Sequence, residues 1–321
     1  MSALPLVSIL MPLNNKASYV AEAIESVLNQ TYPNIELIII DDGSTDGSFN
    51  IAKQFISDKV QLYKQVNKGV SAARNVAFEY SKGDLIQYLD ADDVLDSRKI
   101  EEQVTILRGY SHSVLATAKR FYFQKEIAKI WQPNEILILE KNYDDMSAFL
   151  LDEAAASSIL VHSWLVPRDL IKNAGKWDES MTFFEDRDFY LRLVPLASEI
   201  IYCQKSICYY RLSNMKHHAK YFKVNEISAV LRYFSQFESY FFSQNKATVN
   251  ASRLVLACLN KKLLIISNNK ATIHELYRRS VKLGLAPDCS RNSFIRFSER
   301  LIGVKNTFWL VYLKAKYFNR F

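Results

Sequence analysis

The chain has 321 residues, 49% apolar and 23% charged, which is enough to bury a sizeable core and too hydrophobic for intrinsic disorder. Its four cysteines (Cys203, Cys208, Cys258, Cys289) form no CxxC pair, and no run reaches eighteen apolar residues; a disulfide scaffold, a zinc ribbon, a transmembrane helix and a cleaved signal are not expected, and a reducing cytosol is. The net charge of +7 hides a split: residues 1–200 carry 20 basic against 29 acidic side chains, and residues 201–321 carry 21 against 5, so two jobs in one chain are expected.

The first hundred residues alternate between two textures. Val7–Met11, Ile35–Ile40, Val60–Tyr63 and Asp84–Leu89 read as short strands bounded by turn residues. Between them, 17–30, 48–57 and 70–80 carry apolar residues at helical spacing, as in Val20, Ile24, Val27 and Leu28. Ile38-Ile39-Ile40 is apolar on both faces, as a central strand covered from each side must be. This alternation predicts a mostly parallel α/β sheet. Residues 113–215 are less regular. Val114–Phe123, Ile136–Leu139, Ser158–Val166, Glu199–Tyr202 and Ile207–Arg211 read as strands, Asp144–Asp152 and Asp186–Leu193 as helices. From Leu196 to Leu283 there is neither Gly nor Pro, and the apolar spacing predicts a helical appendage over 217–282. A tail over 291–321 mixes aromatic and basic residues.

In open α/β sheets ligands bind beyond the carboxyl ends of the strands, and three acidic clusters matter there. Asp41-Asp42-Gly43-Ser44-Thr45-Asp46 ends the second strand; it is either a ligand loop or a turn capping the next helix. Asp90-Ala91-Asp92-Asp93 follows the fourth. Three carboxylates so close repel one another unless a cation is present, and a hard divalent ion held against a diphosphate suits them; the alternative is a solvated loop with Asp96 capping a helix. Phe183-Phe184-Glu185-Asp186-Arg187-Asp188 opens a helix. Its acids either complement the helix dipole or supply a general base whose pKa is raised by apolar neighbours.

The order of these motifs resembles the family 2 inverting glycosyltransferases, which have the GT-A fold and use nucleotide sugars. The resemblance is carried by Val7-Ser-Ile-Leu-Met-Pro-Leu-Asn-Asn15, Ala23-Ile-Glu-Ser-Val-Leu-Asn-Gln-Thr-Tyr32, Glu36-Leu-Ile-Ile-Ile-Asp-Asp-Gly-Ser-Thr-Asp46, Asn67-Lys-Gly-Val-Ser-Ala-Ala-Arg-Asn75 and Tyr88-Leu-Asp-Ala-Asp-Asp93. Glu185-Asp186 and Tyr209-Tyr-Arg211 continue it. It implies an α/β fold of GT-A type over 1–215, a mixed sheet with flanking helices; beyond it, the apolar spacing and charge predict a helical, basic region over 216–321. It also implies roles. Asp42 would accept a hydrogen bond from uracil, with Pro12, Asn14 and Asn67 at the base; family members often place an aromatic residue where Asn14 stands. Arg74, Asp90 and Arg211 would meet the nucleotide sugar. Asp92 or Asp93 would hold Mn2+ or Mg2+. Asp186, beside Glu185, would be the base that deprotonates the acceptor. Many members carry a His shortly after the Tyr-Arg pair; here Ser213 stands there, and His217, followed by His218, is the candidate metal ligand.

The implied reaction is transfer of a hexose from a UDP-sugar to a glycan or lipid-linked acceptor in surface polysaccharide synthesis. The rival is a non-catalytic nucleotide-sugar-binding partner in an assembly complex. No glycine-rich turn follows the first strand and no GxxxxGK[ST] loop exists, which excludes dinucleotide and P-loop readings. His112 and His162 have no nearby partner in sequence, and Trp164 and Trp177 read as core or acceptor-pocket walls. The basic last third lacks any nucleic-acid motif. It suits an anionic membrane surface on the cytoplasmic face, where Lys and Arg meet headgroups and aromatic residues dip into the interface; the alternatives are a solvated basic face and an oligomer contact.

Overall fold

The structure is a computed structural model and describes residues 4–110, 113–125, 127–132, 137, 139–156 and 159–212, with 229, 232, 233, 235–237, 239 and 240. The chain divides into two compact units, Met1–Asn214 and Met215–Phe321. The described residues of the second are helical, with the Tyr233 and Phe237 rings 5.9 Å apart. The appendage expected over 217–282 lies otherwise outside the described residues, as does the whole 291–321 tail.

The first unit runs β1 (Val7–Leu13), α1 (Val20–Leu28), β2 (Ile35–Asp42), α2 (Ser48–Lys53), β3 (Val60–Gln65), α3 (Val70–Tyr80), β4 (Leu85–Tyr88), β5 (Val94–Leu95), α4 (Lys99–Leu107), β6 (Val114–Phe123), α5 (Met146–Ala156), β7 (Trp164–Pro167), α6 (Arg168–Ala174), α7 (Glu185–Leu193) and β8 (Glu199–Arg211). One mixed sheet takes the order β3-β2-β1-β4-β7-β6-β8-β5. β1 to β4 are parallel where they pair; β7 is antiparallel to β4 and β6, β6 and β8 are parallel, and β5 is antiparallel to β8.

Every residue of β1 and β2 is buried, because helices cover both faces. Ile9, Met11, Leu37 and Ile39 meet Val20, Ile24 and Val27 of α1 and Ile100 and Val104 of α4 in one core cluster. Alternation sends Leu10, Ile38 and Ile40 to the opposite face, where α3 lies.

Three expected segments differ from what is observed. In Ile136–Leu139 the described residues Leu137 and Leu139 are in 3-10 turns rather than a strand. Ser158–Val166 is a strand only from Trp164, preceded by a 3-10 turn at Val161–Ser163. Glu199–Tyr202 and Ile207–Arg211 are one strand: the register jumps from Ala118↔Cys203 to Lys119↔Ile207, leaving Gln204, Lys205 and Ser206 as a bulge. The bulge has a use, since Ser206 Oγ donates to the Lys99 carbonyl at 3.1 Å and ties β8 to α4.

At the edge away from the strands' carboxyl ends, Ser8 Oγ donates to Glu36 Oε1 (2.6 Å) and accepts from the Gly83 N–H (2.7 Å), while the Lys82 N–H donates to the same Glu36 oxygen (2.6 Å). A Cβ on Gly83 would lie 2.6 Å from Ser8 N and 2.7 Å from the Leu6 carbonyl, so β1 itself must shift. Gly83→Ala is expected to lower unfolding stability by about 1–3 kcal/mol, as overpacking does; a urea midpoint equal to wild type would refute this crowding.

Candidate active site

Because β1, β2 and β4 are parallel, their carboxyl ends share one edge, and the loops there are laced together. Asn14 Nδ2 donates to the Asp42 carbonyl (2.6 Å), the Asn15 N–H to Ser44 Oγ (3.1 Å) and the Lys16 N–H to Ser48 Oγ (2.8 Å). Pro12 is buried in β1 opposite Ile40. The buried Asp42 carboxylate accepts from Gln65 Nε2 (2.8 Å) and from the Lys68 and Gly69 N–H groups (2.8 and 2.9 Å). It therefore fixes the loop that leads into α3 and carries exposed Asn67. Gly43, at φ +72°, lets that loop come close: a Cβ there would stand 3.0 Å from Asn67 N.

From the first turns of α3, Arg74 reaches the loop after β4. Its side chain is only 3% exposed, and Nη2 lies 2.8 Å from Asp90 Oδ1 and Nη1 3.9 Å from Glu185 Oε1. Nε and Nη1 are buried without a hydrogen-bond partner. The guanidinium lies over the Trp177 ring at 4.4 Å. Burial works against its charge, and Asp90, then Glu185, more than offset that, holding Arg74 above its ordinary pKa. Burial likewise opposes ionisation of Asp90, but Arg74 wins and keeps that carboxyl below its ordinary value.

The three carboxylates of the loop after β4 have different fates. Asp90 binds Arg74 through Oδ1, and Lys16 Nζ binds Asp92 Oδ2, so among the described residues Asp90 Oδ2 and Asp92 Oδ1 stay open. Asp93 turns into the protein, 1% exposed: Oδ1 accepts from the Arg211 N–H (2.8 Å) and Oδ2 lies 3.0 Å from His162 Nδ1. His162 in turn stacks on Tyr210, centroids 5.9 Å apart. Burial disfavours its charge, yet Asp93 raises its pKa to about 10. Arg211 sits behind the loop, with Nε on the Asp92 carbonyl (2.8 Å), Nη2 on Glu22 and its guanidinium over Phe123 (4.2 Å).

The opposite wall is the start of α7. Phe184, at φ +60°, is a bulky residue in the left-handed region, a strain that persists only where the surroundings impose it. It turns the chain so that Glu185 and Asp186 begin the helix. Behind them Phe189 stacks on Trp177 (4.1 Å) and both meet the Tyr88 ring edge-on, while Asn75 holds the Trp177 backbone by bonds of 2.9 and 3.0 Å. α3, β4 and α7 are thereby locked through one aromatic stack. Asp186 Oδ1 accepts from the Arg187 N–H (2.7 Å), and Oδ2 has no partner among the described residues. Burial raises the pKa of Asp186 against the pull of Arg187 and Arg74, and burial with Asp186 as neighbour raises that of Glu185.

The family model for glycosyl transferase family 2 matches residues 8–172, more than half of the chain. The chain belongs to that family. Among relatives of this family-2 member, an uncharacterized glycosyltransferase of Rickettsia typhi is 33% identical over 60% of each chain, and glycosyltransferase GlyG of Streptococcus pneumoniae is 29% identical over 64% of this chain and 70% of its own. The match to a Haemophilus influenzae glycosyltransferase, 45% identical, spans 32% of this chain and 43% of that one. The chain thus spans about 60% or less of the Rickettsia and Haemophilus relatives' lengths. S. aureus TarS with UDP-GlcNAc shares the fold, with a TM-score of 0.63 at 13% identity over 97% of this chain and 91% of that one. The mixed sheet with flanking helices is therefore of GT-A type.

Asp42, Arg74, Asp90, Asp92, Glu185 and Asp186 line this one edge, with Pro12, Asn14 and Asn67 on its β1–β2 side. Asp93 and Arg211 form the back of the loop, and His217 and Ser213 lie outside the described residues. Among the described residues no three His, Cys, Asp or Glu side chains group to hold a metal ion by themselves. Two open carboxylate oxygens on neighbouring residues nonetheless fit Mg2+ or Mn2+, which take one or two carboxylates and complete their shell with phosphates and waters. Lys16, Glu22 and His162 are contributors that sequence reasoning passed over. His162 meets Asp93 only through the fold, and nothing local marks Lys16.

Asp90 has a folded pKa below its ordinary value of 3.8, so its ionisation stabilises the fold above that pH and the contribution is lost as pH falls through the lower folded value. In Arg74→Met the depression should vanish and burial should push Asp90 above 3.8. Carboxyl NMR titration reads this directly; an Asp90 pKa still below 3.8 would show that Arg74 is not the cause.

Proposed function

We propose that the chain is an inverting glycosyltransferase that moves a hexose from a UDP-sugar to a hydroxyl of a glycan or lipid-linked acceptor in surface polysaccharide synthesis. The supporting observation is the arrangement around Arg74: open oxygens on Asp90 and Asp92 on one side, an open Asp186 oxygen on the other. Family membership supports sugar transfer. The UDP and UDP-GlcNAc complexes of TarS favour uridine, with Asn14, Asn67 and the backbone fixed by Asp42 framing the base.

In the proposed step Asp186 Oδ2 takes the proton of the acceptor hydroxyl as its oxygen bonds to the anomeric carbon. The bond from that carbon to the diphosphate oxygen breaks on the opposite face, and UDP leaves with the electron pair. Burial raises the basicity of Asp186, while Glu185 stays with Arg74 and orients it. Arg74 and Lys16 supply positive charge on the diphosphate side. A divalent ion on Asp90 and Asp92 would stabilise the charge of the departing diphosphate. The aromatic stack around Trp177 stiffens the two sides, whose separation the Arg74 contacts set.

No helix among the described residues is long and apolar enough to cross a membrane. We assign the +16 charge of residues 201–321 to peripheral docking on the cytoplasmic leaflet, each basic residue near the surface adding about 1 kcal/mol.

Asp186→Asn should lower turnover by about 10²–10⁴-fold, the usual weight of general-base catalysis, with UDP affinity unchanged by calorimetry. Since Asp186 is active when ionised and its pKa is raised, the acid limb of kcat/KM in wild type should lie above pH 3.8. Full UDP release by the variant would remove the base assignment. The full chain should co-sediment with phosphatidylglycerol vesicles at low salt and detach in 0.5 M salt (roughly a 4–5 Å Debye length); indifference to lipid charge would end the docking proposal.

A further inference from the structure

Among the described residues, Lys16 pairs with Asp92 at the open face of the loop after β4, and its place is built rather than incidental. Its N–H is fixed to Ser48 Oγ at 2.8 Å, and its carbonyl accepts the N–H groups of Tyr19 and Val20, both at 2.9 Å, as α1 begins. Asn15, in the left-handed region at φ 51°, turns the chain just before it and is held by Ser44 and Thr45. With its backbone bound on both sides, the side chain lies across to Asp92 and Nζ pairs with Oδ2. The other carboxylate, Asp90, has its own cation in Arg74, a residue 3% exposed with two nitrogens lacking hydrogen-bond partners.

These two ion pairs are not equivalent. Arg74 is buried in an aromatic stack and cannot leave. The Lys16 side chain is 33% exposed and that of Asp92 15%, and a four-carbon stem lets the ammonium swing into solvent at small cost. A divalent ion approaching Asp92 Oδ1 meets a carboxylate already neutralised on its other oxygen, with a positive charge beside it. The diphosphate of a nucleotide, in contrast, offers the ammonium a new partner.

The geometry points to Lys16 as an internal counter-ion that competes with the divalent metal for Asp92 and is transferred to the diphosphate when the nucleotide binds. This rests on the metal reading given under the proposed function and adds to it an order of affinities: metal alone binds weakly, nucleotide displaces Lys16 from Asp92, and the two ligands strengthen each other. Because coupling is reciprocal, metal must tighten UDP by the same factor as UDP tightens metal. The sequence places this gate in the chain's own β1–α1 loop, so no partner is required.

The test reads Mn2+ binding to the full chain by the electron paramagnetic resonance of free Mn2+, with and without UDP, in wild type and Lys16→Met, with circular dichroism as the control for folding. Asp92→Asn reports the site. Removing a partly exposed ion pair corresponds to about a five-fold change in affinity. Lys16→Met is therefore expected to bind Mn2+ alone about five-fold more tightly than wild type. UDP should enhance Mn2+ binding in wild type and do so by a smaller factor in Lys16→Met, while Lys16→Arg restores the wild-type pattern. Equal or weaker Mn2+ binding by folded Lys16→Met, at a site that Asp92→Asn abolishes, overturns the inference and leaves the metal reading standing. No Mn2+ binding by wild type in the presence of UDP overturns both.

Discussion

Burying a guanidinium is unfavourable unless negative charge and ring faces surround it, and Arg74 is surrounded by both. Asp90 lies on one side, Glu185 on the other and the Trp177 ring beneath. These partners come from three separate parts of the chain: the loop after β4, the start of α7 and the loop before it. Each needs Arg74 as much as Arg74 needs them, since Asp90 and Glu185 would otherwise be desolvated carboxylates without a counter-ion. The two walls of the cleft are thereby held at one distance. The Trp177–Phe189 stack and the Asn75 bonds to the Trp177 backbone add rigidity but do not choose that distance.

A second layer of constraint lies behind the carboxylates. Three Asp residues in four positions would be hard to keep ionised together, and the fold removes one of them from the cleft. Asp93 turns inward to His162 and the Arg211 N–H, and Arg211 reaches on to the Asp92 carbonyl and Glu22. The loop is thus braced from β8, the 3-10 turn before β7 and α1 together. Only Asp90 and Asp92 face outward, and each keeps one free oxygen.

Much of this was legible in the sequence where a local signal existed. The apolar run Ile38-Ile39-Ile40 marked a central strand, and the acidic ends of the second and fourth strands marked one edge. Two kinds of feature were not legible. α6 has seven residues after Pro167, too few to show a period. The polar residues Gln204, Lys205 and Ser206 broke one long strand into two apparent ones, because the bulge suspends the alternation on which strand reading rests. The other blind spot was partnership across the fold. His162 looked isolated because Asp93 is distant in sequence, and the partners of Arg211, Glu22 and the Asp92 carbonyl, are equally remote. Phe184 gave no warning that a bulky aromatic residue would take a positive φ at the helix start.

The charge split acquires a local meaning from these contacts. In the cleft, Asp90 and Asp92 are paired with Arg74 and Lys16, while Asp42, Glu185 and Asp186 keep the edge acidic, in line with the acidic excess of residues 1–200. A diphosphate entering the cleft, as proposed, would bring negative charge that Arg74, already engaged by two carboxylates, would answer only in part. That added charge could be answered by bringing in a cation or by redirecting one. Among the described residues, Lys16 is a partly exposed cation that could be redirected, and doing so would free the Asp92 oxygens for an added one. On the proposed reading the same loop geometry serves both states, and the carboxylates would not need to move for a nucleotide and a metal to replace one another's missing charge.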